Sequence, residues 1–236
     1  MNTSTTGKVL KAGLATALAA LAFPILMGGC PDKDSTLLLR YVNMVTMPRM
    51  VTSTAKASVD MPAAQYKAST TGYYAVGGGR AEATVYDKDM IELGSIGNPG
   101  QYNHVYNLIA LGNDETLEYS LLESVMNHPD PAAGTAEIHF VHGVEVAGVQ
   151  VDVYVVPVGS GVAGTPVATG LAYTHDQSTV LPSVGTYDFV SCFAGTNTEM
   201  FRTTVTVESG RRYISVLVSP PSVTGSFKTI DWNNVV

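Results

Sequence analysis

The chain has 236 residues, with 13 lysine and arginine against 20 aspartate and glutamate side chains, which gives a formal net charge of −7. Only 14% of the residues are charged, and this composition excludes a coiled coil and a charge-rich disordered chain. The acidic balance also argues against nucleic-acid binding, because neutralising phosphates needs clustered cations and Arg211-Arg212 is the one basic doublet of the sequence.

Residues 1–29 have the pattern of a secretory signal peptide. Lys8 and Lys11 precede an apolar run over residues 12–27, and the small residues Gly28 and Gly29 follow it. The run is shorter than the ~20 residues that a membrane-spanning helix needs. We therefore expect export and removal of this segment, with an uncleaved anchor as an alternative.

The end of this segment, Leu26-Met27-Gly28-Gly29-Cys30, resembles the lipobox of bacterial lipoproteins. The resemblance implies that Cys30 becomes the first mature residue, carries acyl chains such as palmitate, and anchors the protein to a membrane. Two or three chains make a durable anchor, since each buried methylene contributes ~0.8 kcal/mol. Residues 30–35 then form a short polar tether, and ordinary cleavage without a lipid is the alternative.

The residue after Cys30 bears on which membrane receives the anchor. It is Pro31 rather than aspartate. Under sorting rules resembling those of enteric bacteria, this favours the outer membrane or the cell surface of the bacterial envelope over the inner membrane. In a Gram-positive host the same anchor would hold the protein at the plasma membrane.

The remainder of the chain contains two similar halves. Residues 39–43 align with residues 138–142 at an offset of 99, and Gly100 aligns with Gly210 at an offset of 110. Two prolines and a glycine over residues 127–135 prevent regular structure there. We therefore predict a tandem repeat with one β-sandwich over residues 36–126, a linker over 127–135 and a second β-sandwich over 136–236.

Period-two alternation predicts the strands. Val149, Val151, Val153 and Val155 alternate with polar residues or tyrosine, which places one face in a core and the other in water. About seven such strands per half, separated by glycine-containing turns, predict an all-β chain of two tandem immunoglobulin-like antiparallel β-sandwich domains. The aligned closing segments, 117–125 and 227–235, are each predicted as an edge strand or a short helix.

Four segments of the second half carry a resemblance to a known family. They are Ile138-His139-Phe140-Val141-His142, Val151-Asp152-Val153-Tyr154-Val155, Leu181-Pro182-Ser183-Val184-Gly185-Thr186-Tyr187 and Glu208-Ser209-Gly210-Arg211-Arg212-Tyr213. They resemble the bacterial domain-of-unknown-function 4397 family over residues 136–219, and more faintly over 37–112. The resemblance implies exported β-sandwich modules, often in tandem and tethered to the envelope, with no established activity. The family's usual loop after the first histidine is absent here, because Gly143-Val144-Glu145 follows His142.

Candidates for metal chemistry are few in the sequence. His139 and His142 are three residues apart on a strand and should face opposite sides, so a shared metal is not expected. Asp87, Asp89 and Glu92 favour a solvated turn, with a weak calcium site as the alternative. An acylated Cys30 leaves Cys192 without a disulfide partner, and we expect a buried thiol. We predict no metal, no cofactor and no catalytic residues.

Tyrosine is abundant, with 12 residues in the chain. Tyr102 and Tyr106, predicted on one face with His104, and Trp232 are candidate ligand-binding residues, because exposed aromatic rings stack on sugars or contact proteins. The alternative is that tyrosine is simply a good strand residue.

These observations predict a non-enzymatic, envelope-anchored lipoprotein whose two β-sandwich modules serve as a spacer or as protein-interaction domains. The expected partners are the membrane, through the lipid on Cys30, and an envelope protein or a glycan. A carbohydrate-binding or adhesive surface module is the alternative function, and an envelope hydrolase is a third.

Overall fold

In the computed structural model, the described residues are 36–44, 52–56, 61–65, 68–69, 73–77, 83–87, 89–96, 104–112, 117–125, 128–144, 148–218 and 225–232. The predicted lipidation site Cys30, the tether over 30–35 and the candidate Tyr102 lie outside them. All of the described residues belong to one compact unit. Within the described ranges, no helix is long and apolar enough to span a bilayer.

The described residues form seventeen β-strands and no helix. The first half contains β1 (Thr36–Asn43), β2 (Thr52–Lys56), β3 (Ala64–Gln65), β4 (Ala68–Ser69), β5 (Tyr74–Gly77), β6 (Ala83–Tyr86), β7 (Glu92–Ile96), β8 (His104–Gly112) and β9 (Leu117–Val125). The second half contains β10 (Ala136–His142), β11 (Val151–Pro157), β12 (Ala168–Leu171), β13 (Asp176–Leu181), β14 (Gly185–Phe193), β15 (Glu199–Val207), β16 (Arg211–Val218) and β17 (Ser226–Asp231). The closing segments are therefore strands, although the first of them is helix-compatible by propensity.

Each half builds two sheets with the same strand order. In the first half, sheet I has the order β4-β1-β8-β9, with β5 also on β1, and sheet II has the order β3-β2-β6-β7. In the second half, sheet III has the order β13-β10-β16-β17 and sheet IV the order β12-β11-β14-β15. The all-β sandwich architecture is confirmed, and the shared strand order agrees with the predicted tandem repeat.

The strand register corrects one detail of the repeat. Leu39 pairs with Tyr106 in the first half, and Ile138 pairs with Tyr213 in the second. Since Leu39 and Ile138 are equivalent at the predicted offset of 99, Tyr106 and Tyr213 are equivalent at an offset of 107. The predicted offset of 110 for this part of the chain is wrong by three residues.

One pair of strands in each half is parallel. β1 runs parallel to β8 and β10 runs parallel to β16, whereas every other pair among the described strands is antiparallel. The first strand of each half thus lies beside the strand that precedes the closing strand. Gly210 adopts the left-handed conformation at φ 71 in the turn between β15 and β16, which is one of the glycine-containing turns between strands.

Each pair of sheets encloses its own core. Leu39, Tyr41 and Tyr106 are buried between sheets I and II. Between sheets III and IV, the rings of Phe140, Phe189 and Phe227 contact one another edge to face, with centroids 5.2–6.0 Å apart. The valines of β11 that were predicted to face inward line this second core.

A third apolar layer, which we call the seam, lies between sheets I and III. It is formed by Val42, Met44, Ile109, Leu111 and Leu122 of the first half, with Val141, Ile214, Val216, Val218 and Trp232 of the second. Sheets I and III are therefore covered on both faces, and their central strands β8 and β16 are buried almost throughout. The four sheets form one stack, and the predicted division into separate domains at residues 127–135 stays a prediction.

Candidate functional site

Two of the three predicted aromatic ligand-binding residues are buried, and the third, Tyr102, lies outside the described residues. Tyr106 lies in the core between sheets I and II and Trp232 lies in the seam, and each is only 2% exposed. His104 does lie on the same face as Tyr106, with ring centroids 6.2 Å apart, as the alternation predicted. That face is the interior, so neither Tyr106 nor Trp232 offers a surface on which a sugar can stack.

A polar cluster lies at one end of the seam instead. The buried guanidinium of Arg40 in β1 donates from Nε to Asn107 Oδ1 at 2.7 Å and from Nη1 to the backbone carbonyl of Asp231 at 2.8 Å. The ring of Tyr73 lies against this guanidinium at 4.9 Å, and its hydroxyl donates to Asn107 Oδ1 at 3.0 Å. Arg40 therefore joins the two halves through its bond to Asp231, while Asn107 and Tyr73 of the first half hold its guanidinium in place.

The second half contributes a matching set of charges. Glu137 accepts from Arg212 Nε at 2.7 Å, and its other oxygen lies 3.1 Å from His139 Nε2. His139 Nδ1 is 3.5 Å from the carboxylate of Asp176, an ion-pair distance. The His139 ring also meets Trp232 edge to face at 4.6 Å. This arrangement places a histidine between two carboxylates at the margin of the seam.

These contacts shift the pKa values of Glu137 and His139. The hydrogen bond from His139, with the contacts of Arg212, lowers the pKa of Glu137 to about 2 against an opposing effect of burial. Burial acts to lower the pKa of His139, but the carboxylates of Asp176 and Glu137 outweigh it and the pKa is raised. The pair therefore favours an ionised glutamate beside a readily protonated histidine.

Arg212 also holds the segment that precedes the second half. Its Nη2 donates to the carbonyl of Pro129 at 3.1 Å and lies 2.6 Å from His128 Nδ1. Farther along, the backbone N–H of Gly210 donates to the carbonyl of Thr135 at 2.9 Å. The described part of the predicted linker, 128–135, is thus bonded to the sandwich that it precedes.

The outer face of sheet IV carries two buried aspartates that act as acceptors for loops. Asp188 accepts from the backbone N–H of Gly159 at 2.9 Å, from Arg202 at 2.9 Å and from the hydroxyl of Thr204 at 2.7 Å. These donors lower its pKa to about 2.

Asp152 is held in the same manner. Its two oxygens accept from the backbone N–H groups of Gly170 and Gly195, each at 2.7 Å. Both carboxylates therefore accept hydrogen bonds from loop N–H groups, and the lowered pKa of Asp188 makes that group a poor general acid. The two aspartates therefore serve the fold of this face.

The loops held in this way cover a small apolar cluster on the same face. Tyr154, Val156, Val190 and Cys192 are buried there, with Val162 packed against them. Burial raises the pKa of the Cys192 thiol, so it stays protonated and unreactive at neutral pH. The expectation of a buried thiol is confirmed.

Of the predicted turn carboxylates, Asp87 forms hydrogen bonds within its own turn. Asp87 Oδ1 accepts from the backbone N–H groups of Asp89 and Ile91, each at 2.8 Å. This is the structural role in a turn that the sequence predicted. Across the residues that the structure describes, no three histidine, cysteine, aspartate or glutamate side chains converge as metal ligands.

Sequence reasoning missed the seam charges Arg40, Glu137 and Arg212. Alternation assigns each of them to the face opposite the core of its own half, and such a face is expected to meet water. The signal that could have revealed a second contact is the apolar run beside each charge, such as Leu37-Leu38-Leu39 before Arg40.

The chain matches no protein-family model and no curated protein. Solved structures with some similarity include CBMbc (family CBM26) from Eubacterium rectale Amy13K in complex with maltoheptaose, at 14% identity and a TM-score of 0.25, over 85% of this chain and 98% of that one. Another is a Bacteroides ovatus protein named as a candidate for cell adhesion, at 11% identity and a TM-score of 0.24, over 84% and 98%. Similarity this low carries no argument about a ligand, and the resemblance to the domain-of-unknown-function 4397 family stays a prediction.

Proposed function

We propose that the protein is a non-enzymatic lipoprotein of the bacterial envelope whose two sandwiches act as one rigid protein-interaction body. The observation that carries the proposal is the seam. Its ten buried apolar residues, together with the bond from Arg40 to the carbonyl of Asp231, join the two halves. A contact of this kind resembles a domain core and resists relative motion of the halves.

The direction of the strands favours interaction over the spacer role. Arg40 in the middle of β1 meets Asp231, which is level with Ile138 near the start of β10. Leu111, beyond the end of β1 in register, lies close to Gly143, which directly follows β10. β1 and β10 therefore run in the same direction on either side of the seam. The two halves therefore lie side by side, and the second half does not lengthen the molecule along the strand direction. A long spacer would need the halves to pack end to end.

The polar side chains support a binding role rather than an enzymatic one. Glu137, Asp188 and Glu199 all have lowered pKa values because of their hydrogen-bond donors, so each stays ionised at neutral pH. General acid catalysis needs the opposite shift. Their bonds go to loops and strands of the protein itself.

A carbohydrate-binding or adhesive module is the second candidate, and one side chain favours it. Phe193 at the end of β14 is half exposed, and the turn that follows presents Thr196, Asn197 and Thr198. An exposed ring beside hydroxyl and amide groups is suited to stacking on a sugar. Retention on a glycan array that falls on Phe193→Ala, with Val184→Ala as the control, would favour this candidate.

Two measurements test the main proposal. Fatty-acid labelling and membrane fractionation of Cys30→Ala should show loss of label and release from the membrane, and Cys192→Ala should behave like the native protein. Crosslinking in whole cells should then return the same envelope protein from native cells but not from the released variant. Labelling that persists in Cys30→Ala contradicts the anchor, and repeated failure to crosslink a consistent protein contradicts the interaction role.

A further inference from the structure

The strand registers define two ends of the sheet stack. The proximal end is the one at which β1 begins, and β10 begins there too because it runs in the same direction. β13 leads into β14 through residues 182–184, and β11 ends opposite Tyr187 near the start of β14. Residues 158–162 and 182–184 of the second half therefore lie at the proximal end.

The proximal end of the second half has an exposed apolar rim. Val158, Val180 and Val184 are 54%, 59% and 37% exposed. Val158 follows the last residue of β11, Val180 pairs with Glu137 near the start of β10, and Val184 precedes β14. We call these three side chains the proximal rim.

The two chain segments that carry the proximal rim contain no charged side chain. Residues 157–174 and 177–187 contain no aspartate, glutamate, lysine or arginine. Charged side chains of neighbouring strands lie at the same end, because Val180 pairs with Glu137, and Glu208 follows Val207, which pairs with Gly185. Arg211 lies between two of the acids there, 3.8 Å from Glu208 and 3.4 Å from Asp231. The rim therefore consists of apolar side chains on uncharged segments, beside a group of partly compensated charges.

The opposite, distal end has a different character. The turn between β6 and β7 is at this end. Asn43 at the end of β1 bonds to Ala64, which pairs with Ser53, so β2 begins at the distal end. Tyr86 at the end of β6 pairs with Thr54 of β2, so β6 ends there too. Exposed acids Asp89, Glu92 and Glu118 lie there. Met90 and Ile91 are also exposed at this end, but among these carboxylates. An anionic membrane surface repels such an end.

The tether decides which end meets the bilayer. Thr36, the first residue of β1, is the sixth residue after Cys30, and a chain extends by at most ~3.6 Å per residue, so β1 begins within roughly 20 Å of the acylated cysteine. We propose that the proximal rim of Val158, Val180 and Val184 rests on the lipid surface and fixes the orientation of the anchored protein. The inference rests on the proposed lipid anchor and adds to it the face that contacts lipid.

A weak contact is sufficient here. The anchor holds the protein beside the membrane, so rim contact is an intramolecular event at high effective concentration. Apolar side chains that leave water at the interface then favour one orientation over others. The distal end, with its acids, is left facing away from the bilayer.

The test uses the acylated full chain in vesicles of phosphatidylethanolamine and phosphatidylglycerol. Single cysteines at Val184→Cys, Val158→Cys and the distal control Ile91→Cys carry an environment-sensitive dye. Cys192 is fully buried, and the chain without an added cysteine serves as the labelling blank. Each replaced side chain is exposed, so the variants should fold, which circular dichroism checks.

We expect the dyes at positions 158 and 184 to be quenched several-fold more by nitroxide lipids, and several-fold less by aqueous iodide, than the dye at position 91. Equal quenching at all three positions, or stronger lipid quenching at position 91, overturns the inference while leaving the anchor in place. Failure of every variant to float with the vesicles overturns the anchor and the inference together.

Discussion

The guanidinium of Arg40 in β1 donates to the backbone carbonyl of Asp231 in β17 at 2.8 Å, so the first strand of the described chain is bonded to the last. The two residues lie in different sandwiches, and Trp232 follows Asp231 directly into the seam. The two halves are therefore joined by a hydrogen bond between the first and last strands as well as by the apolar contact between sheets I and III.

The seam should make the two halves unfold together. We expect Ile214→Ala to lower the free energy of unfolding by about 2–5 kcal/mol, because it removes a fully buried side chain and leaves a cavity. Urea unfolding followed by circular dichroism and by the fluorescence of Trp232 should give coincident transitions at lower urea. The exposed Val180→Ala is the matched control and should change little. Separate transitions for the two probes would contradict coupling through the seam.

His139 should stabilise the protein more at acidic than at alkaline pH. Its pKa is raised in the folded state, so its contribution is fully present below the unfolded value of about 6.5 and is lost as pH rises through the raised folded value. We expect the difference in unfolding free energy between the native protein and His139→Gln to shrink across that window. A difference that grows with pH would have the wrong sign.

His142, three residues along the same strand, should respond in the opposite way. Burial lowers its pKa to about 4, so the unfolded chain takes up a proton before the folded one does, and stability is lost as pH falls from about 6.5 to about 4. The loss amounts to at most ~3 kcal/mol. His142→Asn keeps an acceptor for the N–H of Val144 and should reduce this acid sensitivity. Unchanged acid sensitivity in urea titrations would rule out His142 as its source.

Asp188 should be needed for the loops on sheet IV. Replacing it with asparagine removes the charge that Arg202 and the N–H of Gly159 contact, and we expect a loss of about 1–3 kcal/mol in stability. Hydrogen exchange at Gly159 should accelerate in Asp188→Asn. The exposed Asp130→Asn provides the control. An unchanged exchange rate at Gly159 would show that Asp188 does not hold this loop.

Thr174 should be replaceable with a gain in stability. It is a β-branched residue at φ 66, a region that such side chains rarely adopt. Thr174→Asn keeps the backbone bond to the carbonyl of His142 and suits the left-handed conformation, so we expect a gain of up to ~1 kcal/mol. Thr204→Asn, in regular strand, should not stabilise. A lower melting temperature for Thr174→Asn would contradict this strain.

The alternation of the sequence predicted the strands and the two-sandwich architecture because burial on one face has a period of two. It predicted correctly that His104 and Tyr106 share a face, but not whether that face meets water or a core. Both faces of β8 are buried, and a single sequence does not identify which sheet covers the second one. For the same reason the burial of Trp232 was not predicted, and this side chain packs in the seam rather than on an exposed surface.

The register of the second half was harder to predict than its strands. Loops differ in length between the halves, so the offset of 99 at β1 and β10 becomes 107 at β8 and β16. The candidate charges were missed for a related reason. Arg40 and Arg212 read as solvated strand residues, because the sequence does not show that the carbonyl of Asp231 in the facing sheet accepts from Arg40 or that Glu137 accepts from Arg212.

The parallel pairing of β1 with β8 has a mechanical consequence. Six consecutive residues of β1, Leu38–Asn43, are in register with β8 along the strand axis. Under the proposed lipid anchor, a pull from the membrane on Thr36, opposed by a load on the far end of the molecule, acts along that axis. All of the bonds between the two strands then share the force in shear instead of opening one after another, so the strand nearest the proposed anchor is also the one best placed to withstand tension.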